Sequence, residues 1–417
     1  MGYKDAYRDW LSWCDDARFA RKCSMTRAAE MAVVAIARFF INALYLVCRV
    51  FPRRDEAVFV SRQANEPSYD FKEIGREFAG RGFRVMYLTR KLQKRTVVKY
   101  AFHAMREIYH LARCRICFVD RYDPVISLLD FRCELQLRSY AVKPGVYCEF
   151  PVEPVVVQLW HAFGAFKCFG FQSHDTAEGH TANAMELYRI HRNYSWVLCS
   201  GEGCRQAFAQ AFNCPIERVV PLLRPGYDEF ARLRAMRSLA RGASEGREPL
   251  VLFAPTLRKS SESQHPFRDL AQAGDWKSLT GTARIEWAFH PLEQKGVAAG
   301  TVNQALLDAS IVVTDYSSIA YEAYLLGKPV VFYVPDIAGY RVSPGLNADP
   351  LKLCPLIAFT EESRLFAFLG DCLSDPALYP WDAFEAFAGS AIDECEGRAV
   401  DVLVEAAFGW LGRGRCE

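Results

Sequence analysis

Several things are missing from this chain, and each absence removes a class of function. No Gly-x-Gly-x-x-Gly follows the first apolar run, Ala57-Val58-Phe59-Val60-Ser61, so a nicotinamide or flavin dinucleotide site is not expected there. Charge of one sign is not in excess: 51 Lys and Arg against 49 Asp and Glu leave +2, too weak a field to mark a nucleic-acid binder. The fifteen cysteines follow no regular spacing. Cys114-x-x-Cys117 sits in an apolar run that reads as a strand, and no second pair or neighbouring histidine completes a metal site. The opening Met1-Gly2-Tyr3-Lys4-Asp5 leads into charged residues rather than a secretory signal, so reduced thiols in a cytosolic protein are expected. There is no Asp-x-Asp, no low-complexity tract and no repeat of solenoid period.

At 417 residues the chain is too long for one ordinary core, and 51% hydrophobic with 13% aromatic residues argues for folded, core-rich structure. Charge is uneven: residues 1–54 carry ten Lys/Arg against five Asp/Glu. Residues 27–51 form the longest apolar segment, yet Glu30, Arg38 and Arg49 interrupt it and its longest uncharged run is ten residues, short of a clean membrane span. At ~100° per residue Arg27, Arg38, Asn42 and Arg49 fall within about 60° of one another. Two placements suit such a helix: in the membrane interface with its arginines at anionic headgroups, or packed on the protein's own core.

From residue 57 the chain alternates. Strands are expected at 57–61, 83–88, 115–119, 155–159 and 195–200, with helices at 70–78, 97–112 and 203–212. Spacing of this kind specifies a parallel, doubly wound sheet. Residues 238–248 are small, charged and non-periodic, a linker by composition. The alternation then restarts at Leu250-Val251-Leu252-Phe253-Ala254, and residues 361–370 and 383–410 read as closing helices. The domain division expected is 1–54 for an N-terminal amphipathic segment, 55–237 and 249–390 for two α/β domains, and 391–417 for a closing helix.

The most distinctive stretch is Thr314-Asp315-Tyr316-Ser317-Ser318-Ile319-Ala320-Tyr321-Glu322, between the apolar runs 309–313 and 330–334. It reads as strand, tight turn, helix over 317–326, a Gly327-Lys328-Pro329 stop, and a second strand. Asp315 or Ser317 can cap the helix, and its first-turn N–H groups with the Ser317 and Ser318 hydroxyls offer an anion site. Two histidines stand at strand ends, His161 in Gln158-Leu159-Trp160-His161-Ala162-Phe163-Gly164-Ala165-Phe166-Lys167 and His290 in Phe289-His290-Pro291. Each alone is as compatible with packing as with chemistry. Together with Arg258 and the Asp315–Ser318 turn they point to a catalytic cleft.

These segments, with Ala254-Pro255-Thr256-Leu257-Arg258 and Gly327-Lys328-Pro329-Val330-Val331-Phe332-Tyr333 through Asp336, resemble in order and spacing those of the CDP-glycerol:poly(glycerophosphate) glycerophosphotransferase family, the teichoic acid primases and polymerases. The resemblance runs from about 155 to 345. It differs at Ala162, where better-known members have Gly, and at Arg224-Pro225-Gly226-Tyr227-Asp228, where the family usually shows Gly-x-Pro-Arg-x-Asp. It implies two Rossmann-like domains facing across a cleft (the GT-B architecture), with the donor bound mainly by the C-terminal one, in a peripheral enzyme on the cytoplasmic face of the membrane. The implied partners are CDP-glycerol or CDP-ribitol, a polyprenyl- or glycolipid-linked wall polymer as acceptor, and an anionic membrane surface. No nucleic acid and no essential metal or other cofactor are implied.

The reaction so implied is attack of an acceptor hydroxyl on the alditol-bearing phosphorus, with loss of CMP. His161 is the expected general base, since imidazole titrates near working pH. His290 is expected to donate to phosphate oxygens beside Arg258. Thr256, Ser317 and Ser318 are assigned to the donor side; Asp315 either orients a histidine or contacts the donor. Gly164 and Lys167 are placed on the acceptor side, and Glu322 on the donor side. Two other readings stand on the same residues: a nucleotide-sugar glycosyltransferase, and a membrane-docked polymer-binding relative without activity.

Overall fold

Apolar runs of four to six residues, each followed by a turn and a helix, bury both faces only in a parallel sheet covered by helices. The computed structural model describes residues 27–91, 97–137, 147–176, 179–240, 248–256, 265–273, 275–279, 281–289 and 301–413. Its first half holds β1 (Glu56–Ser61), β2 (Arg84–Thr89), β3 (Ile116–Val119), β4 (Arg132–Leu137), β5 (Tyr147–Glu153), β6 (Val155–Gln158), β7 (Trp196–Cys199) and β8 (Val219–Pro221). The second half holds β9 (Leu250–Phe253), β10 (Arg284–Trp287), β11 (Ile311–Thr314), β12 (Val330–Tyr333) and β13 (Ala358–Phe359). Six strands form one parallel sheet in the order β2-β1-β3-β6-β7-β8, and five form another in the order β10-β9-β11-β12-β13. Every residue of β1, β3, β6, β9, β11 and β12 is buried.

The order matters for function. In the first sheet β1 has β2 on one side and β3 on the other; in the second β9 has β10 on one side and β11 on the other. The connections leaving neighbouring strands at these points diverge, so a crevice opens at the carboxyl ends of β1/β3 and of β9/β11.

Three features depart from the sequence reading or add to it. The antiparallel hairpin β4-β5 and the short β8 have no counterpart in it. The closing segment 383–410 is two helices, Trp381–Ala388 and Ala399–Arg413, separated by a turn with Gly397 at φ 86°. The second of them crosses back to the first sheet: Val400, Leu403, Val404 and Ala407 pack with Phe59, Phe71 and Phe118, and Trp410 stacks on Trp196 at 5.0 Å.

The third is the setting of the helix Arg27–Cys48, for which two placements stood open. Arg38 and Asn42 of its stripe touch the protein, while Arg49 is exposed. Arg38 pairs with Asp130 at 2.8 Å, and the Asn42 amide donates to the Leu128 carbonyl while its oxygen accepts from the Asp130 N–H. Two backbone groups at the end of a short helix need partners, and a polar stripe supplies them. Val34, Tyr45 and Cys48 are buried against the protein, and the rest of the apolar side is turned outward, with Phe39 69% and Phe40 65% exposed.

Because the C-terminal helix seals the N-terminal sheet, Leu403→Ala is expected to destabilise by about 2–5 kcal/mol. Urea unfolding followed by tryptophan fluorescence, which reports on Trp196 and Trp410, measures this directly.

Candidate active site

One loop reaches from the first sheet into the second domain before the chain returns to the first sheet as β7. It starts beyond β6 at Trp160, whose φ of 58° is uncommon for a bulky residue. Packing holds the turn: the Trp160 N–H donates to Gln158 Oε1 at 2.9 Å, and the indole stacks on Phe169 at 4.9 Å and meets Phe212 edge-on at 5.3 Å. The tight turn exposes the next side chain, His161, to the cleft. Solvent reaches the ring from that side while protein closes around the rest. Burial, then the positive charges of Arg121 and Arg224, hold its pKa well below the ordinary imidazole value, and a hydrogen bond to the Asp120 main chain opposes them. The ring is therefore neutral at pH 7. A neutral imidazole carries one N–H donor and keeps its other ring nitrogen as an acceptor.

Past His161 the loop enters the second domain's core. Phe163 meets Phe230 at 5.8 Å, and Phe166 makes edge contacts with Tyr316, Tyr321, Phe332 and Phe387 at 4.9–6.4 Å. Gly164 has φ 63°, and a Cβ there would lie 2.4 Å from the Tyr321 ring. Its N–H donates to Ser200 Oγ at 2.7 Å, and that hydroxyl donates to the Ala391 carbonyl at 2.6 Å. Lys167 Nζ donates to Thr256 Oγ1 at 3.0 Å, and its backbone pairs with Leu346 in an antiparallel bridge. Of the two residues expected on the acceptor side, Lys167 thus reaches the second domain, while Gly164 bonds Ser200 of the first and lies against Tyr321 of the second. Glycine at 164 is needed because only it combines positive φ with so close an aromatic ring.

Across the cleft, Asp315 is buried at the end of β11 and accepts the Thr256 N–H at 2.7 Å. That bond ties together the β9 and β11 ends, so Asp315 shapes the crevice rather than capping the helix. The helix itself spans Ile319–Leu325, shorter than expected. Ser317 Oγ accepts the Ile319 N–H at 3.4 Å, a weak cap, and Ser318 makes no capping bond. Both serines are half-buried. Tyr316 is held by Asp336, which accepts its hydroxyl at 2.9 Å, and by stacking on Tyr340 at 3.7 Å. Glu322 lies a turn into the helix, where burial raises its carboxyl pKa against the pull of Arg224. Arg258 and His290 fall outside the described residues.

Sequence reasoning passed over three groups that the fold brings to His161. Arg224, noted only as a departure from a pattern, donates to Asp70 at 2.7 Å and lies over the Phe163 ring at 4.1 Å, a cation–π contact. Asp120 and Arg121 follow β3 as His161 follows β6. The signal that singled out His161, a polar side chain immediately after a buried apolar run, was present in Val119-Asp120-Arg121 as well.

Two parallel sheets whose carboxyl edges are bridged by one loop define the GT-B architecture. The fold is similar to that of a solved wall teichoic acid polymerase, TagF, with a TM-score of 0.63 at 14% identity, covering 93% of this chain and 99% of that one. Residues 43–380 match the family described as CDP-Glycerol:Poly(glycerophosphate) glycerophosphotransferase. Among curated relatives, a teichoic acid ribitol-phosphate primase of Bacillus spizizenii is 26% identical over 72% of this chain and 78% of its own length. A teichoic acid glycerol-phosphate primase of Bacillus subtilis is 23% identical over 62% and 65%. For a poly(ribitol-phosphate) polymerase of Bacillus spizizenii, at 25% identity, the match covers only 48% of the relative. The chain belongs to the CDP-glycerol:poly(glycerophosphate) glycerophosphotransferase family, and its chemistry is that of a CDP-alditol phosphotransferase.

Substituting Gly164→Ala puts a methyl group into the Tyr321 ring and strains the backbone by about 1–2 kcal/mol. The expected result is a lower Tm together with slower CMP release, since the displaced loop carries His161; thermal melts and a CMP-release assay read the two effects.

Proposed function

We propose that this enzyme transfers glycerol phosphate or ribitol phosphate from the corresponding CDP-alditol to a terminal hydroxyl of a membrane-linked wall or capsular polymer, with His161 as the general base. The observation that carries this reading is the imidazole of His161 just beyond the carboxyl end of β6, on a loop whose Phe166 lies against Tyr316 and Tyr321 on either side of Ser317 and Ser318. In the reaction the acceptor hydroxyl oxygen forms a bond to the alditol-bearing phosphorus. The bond from that phosphorus to the CMP oxygen breaks, and the hydroxyl proton passes to His161. Such a transfer depends on in-line placement and charge neutralisation more than on covalent chemistry by the protein. Arg224 and Lys167 supply positive charge along the cleft, and the serine turn supplies hydroxyl and N–H donors to the diphosphate.

A base already neutral at pH 7 needs no prior deprotonation, which suits an acceptor alcohol delivered by a lipid-linked chain. His161→Ala is expected to bind CDP-alditol as wild type does while CMP release falls about 10²–10⁴-fold. Calorimetry with CDP-glycerol, CDP-ribitol and UDP-glucose, run beside the CMP assay, checks donor and turnover separately. Binding confined to the sugar nucleotide would transfer the case to a glycosyltransferase.

The outward apolar side of the 27–48 helix supports docking on a lipid bilayer. Phe102 and Met105 of the neighbouring helix Val97–Leu111 are exposed beside Phe39, Phe40 and Val47, a larger apolar patch than single surface residues make. With Arg38 engaged by Asp130, attachment comes from apolar burial in the interface more than from headgroup charge. Phe39→Asp with Phe40→Asp is expected to abolish co-sedimentation with phosphatidylcholine/phosphatidylglycerol vesicles. A concentration-dependent dimer with no vesicle binding would instead make this face a contact between two copies.

A further inference from the structure

We propose that Asp120 anchors the acceptor: its carboxylate takes a hydrogen bond from one hydroxyl of the terminal polyol and so holds the adjacent hydroxyl against the His161 imidazole. This deepens the transfer reaction proposed above and rests on it.

Asp120 stands at the carboxyl end of β3, beside Ser61 at the end of β1, where the connections of the first sheet diverge and a ligand crevice is expected. Ser61 Oγ donates to Asp120 Oδ2 at 2.9 Å, which fixes the carboxylate plane. The other oxygen, Oδ1, is buried and has no hydrogen-bond partner among the described residues. An orphan carboxylate oxygen is costly and calls for an occupant. His161 follows β6, which pairs with β3 in register Val119↔Gln158, so the open carboxylate oxygen and the base stand beyond adjacent strand ends. A carboxylate oxygen only accepts, so it suits a hydroxyl and repels phosphate. The charged and titratable groups facing it are Arg121 on its own strand end, Asp70 from the helix Tyr69–Gly80, and His161. Burial outweighs the Ser61 bond and the Arg121 charge, and pushes the Asp120 carboxyl up to about 6. Its ionised form is thus lost as the pH falls through that value, above the range in which His161 gains its proton.

The test compares two soluble acceptors, one ending in glycerol phosphate and one in propane-1,3-diol phosphate, which lacks the neighbouring hydroxyl. CMP release is measured from pH 5 to 8.5 on wild type, Asp120→Asn and Ser61→Ala. A hydrogen bond to a charged group predicts a KM for the glycerol acceptor roughly ten- to a hundredfold higher in Asp120→Asn, with donor affinity by calorimetry unchanged. Removing the hydroxyl from the acceptor should cost wild type a similar factor and cost Asp120→Asn nothing further. In wild type the acid limb of kcat/KM for acceptor should lie near pH 6. It should move to lower pH in Asp120→Asn and to higher pH in Ser61→Ala, because the serine bond favours the ionised carboxylate. A merely structural role moves Tm but neither the limb nor the hydroxyl dependence. The proposal is overturned if the two losses multiply, if the limb stays in place in both variants, or if donor affinity falls as the acceptor KM rises. Absence of CMP release by wild type from either CDP-alditol would remove the transfer reaction itself, and the anchor with it.

Discussion

The organisation of this enzyme depends on the insertion of Phe163 and Phe166 into a core that is not their own. Both rings leave the first sheet on the loop after β6 and are buried among residues of the second domain. Phe166 touches four aromatic rings there, and each such pair contributes about 0.5–1.5 kcal/mol beyond area burial. The loop between the domains is therefore a packed element. Its start sets His161 at the cleft, its middle rests on the rings flanking the serine turn, and its end donates to Thr256. A second connection runs the other way, through the 399–413 helix that seals the first sheet. Two crossings in opposite directions resist a hinge opening at the cleft better than either would alone.

Charge in the cleft follows from the same geometry. Arg224 contacts Phe163 of the crossing loop, Asp70 of the first domain and the field of Glu322 in the second. Burial first, and then Arg121 and Arg224, hold the pKa of the imidazole down. The cations that add to burial also suit a diphosphate donor, and a bound anion would relieve some of their repulsion. Buried His191 shows the contrast: packed against Trp160 and Phe212, its pKa falls to about 3 by burial alone, and it has the position of a packing residue.

Much of this was legible from residue order. Strand–helix alternation placed the inner strands of both parallel sheets to within a residue or two, because buried parallel strands are uninterrupted apolar runs, and it missed the edge strands β8 and β13. The histidine after Leu159-Trp160 and the Asp-Tyr-Ser-Ser turn stood out because polar groups at such run ends are where α/β proteins carry chemistry. Less legible was what each polar group contacts. Asp315 read equally as a cap, a histidine partner or a donor contact; only pairing of β9 with β11 brings the Thr256 amide to it. The setting of the first helix stayed open between lipid and protein because periodicity reports which residues share a face, without saying which way that face turns.

The sequence by itself determined the alternating pattern, the two-sheet count, the serine turn and the imidazole at a strand end, since these follow from local periodicity and punctuation. Only the tertiary structure decided that Asp120, Ser61 and Arg224 join His161, that Lys167 reaches the opposite domain, and that the first helix presents phenylalanines outward. The physical reason is separation along the chain. Ser61, Asp120, His161 and Arg224 are spread over more than 160 residues, and nothing in their local surroundings encodes their meeting. It is set by strand order, and strand order is a property of how the sheet packs as a whole.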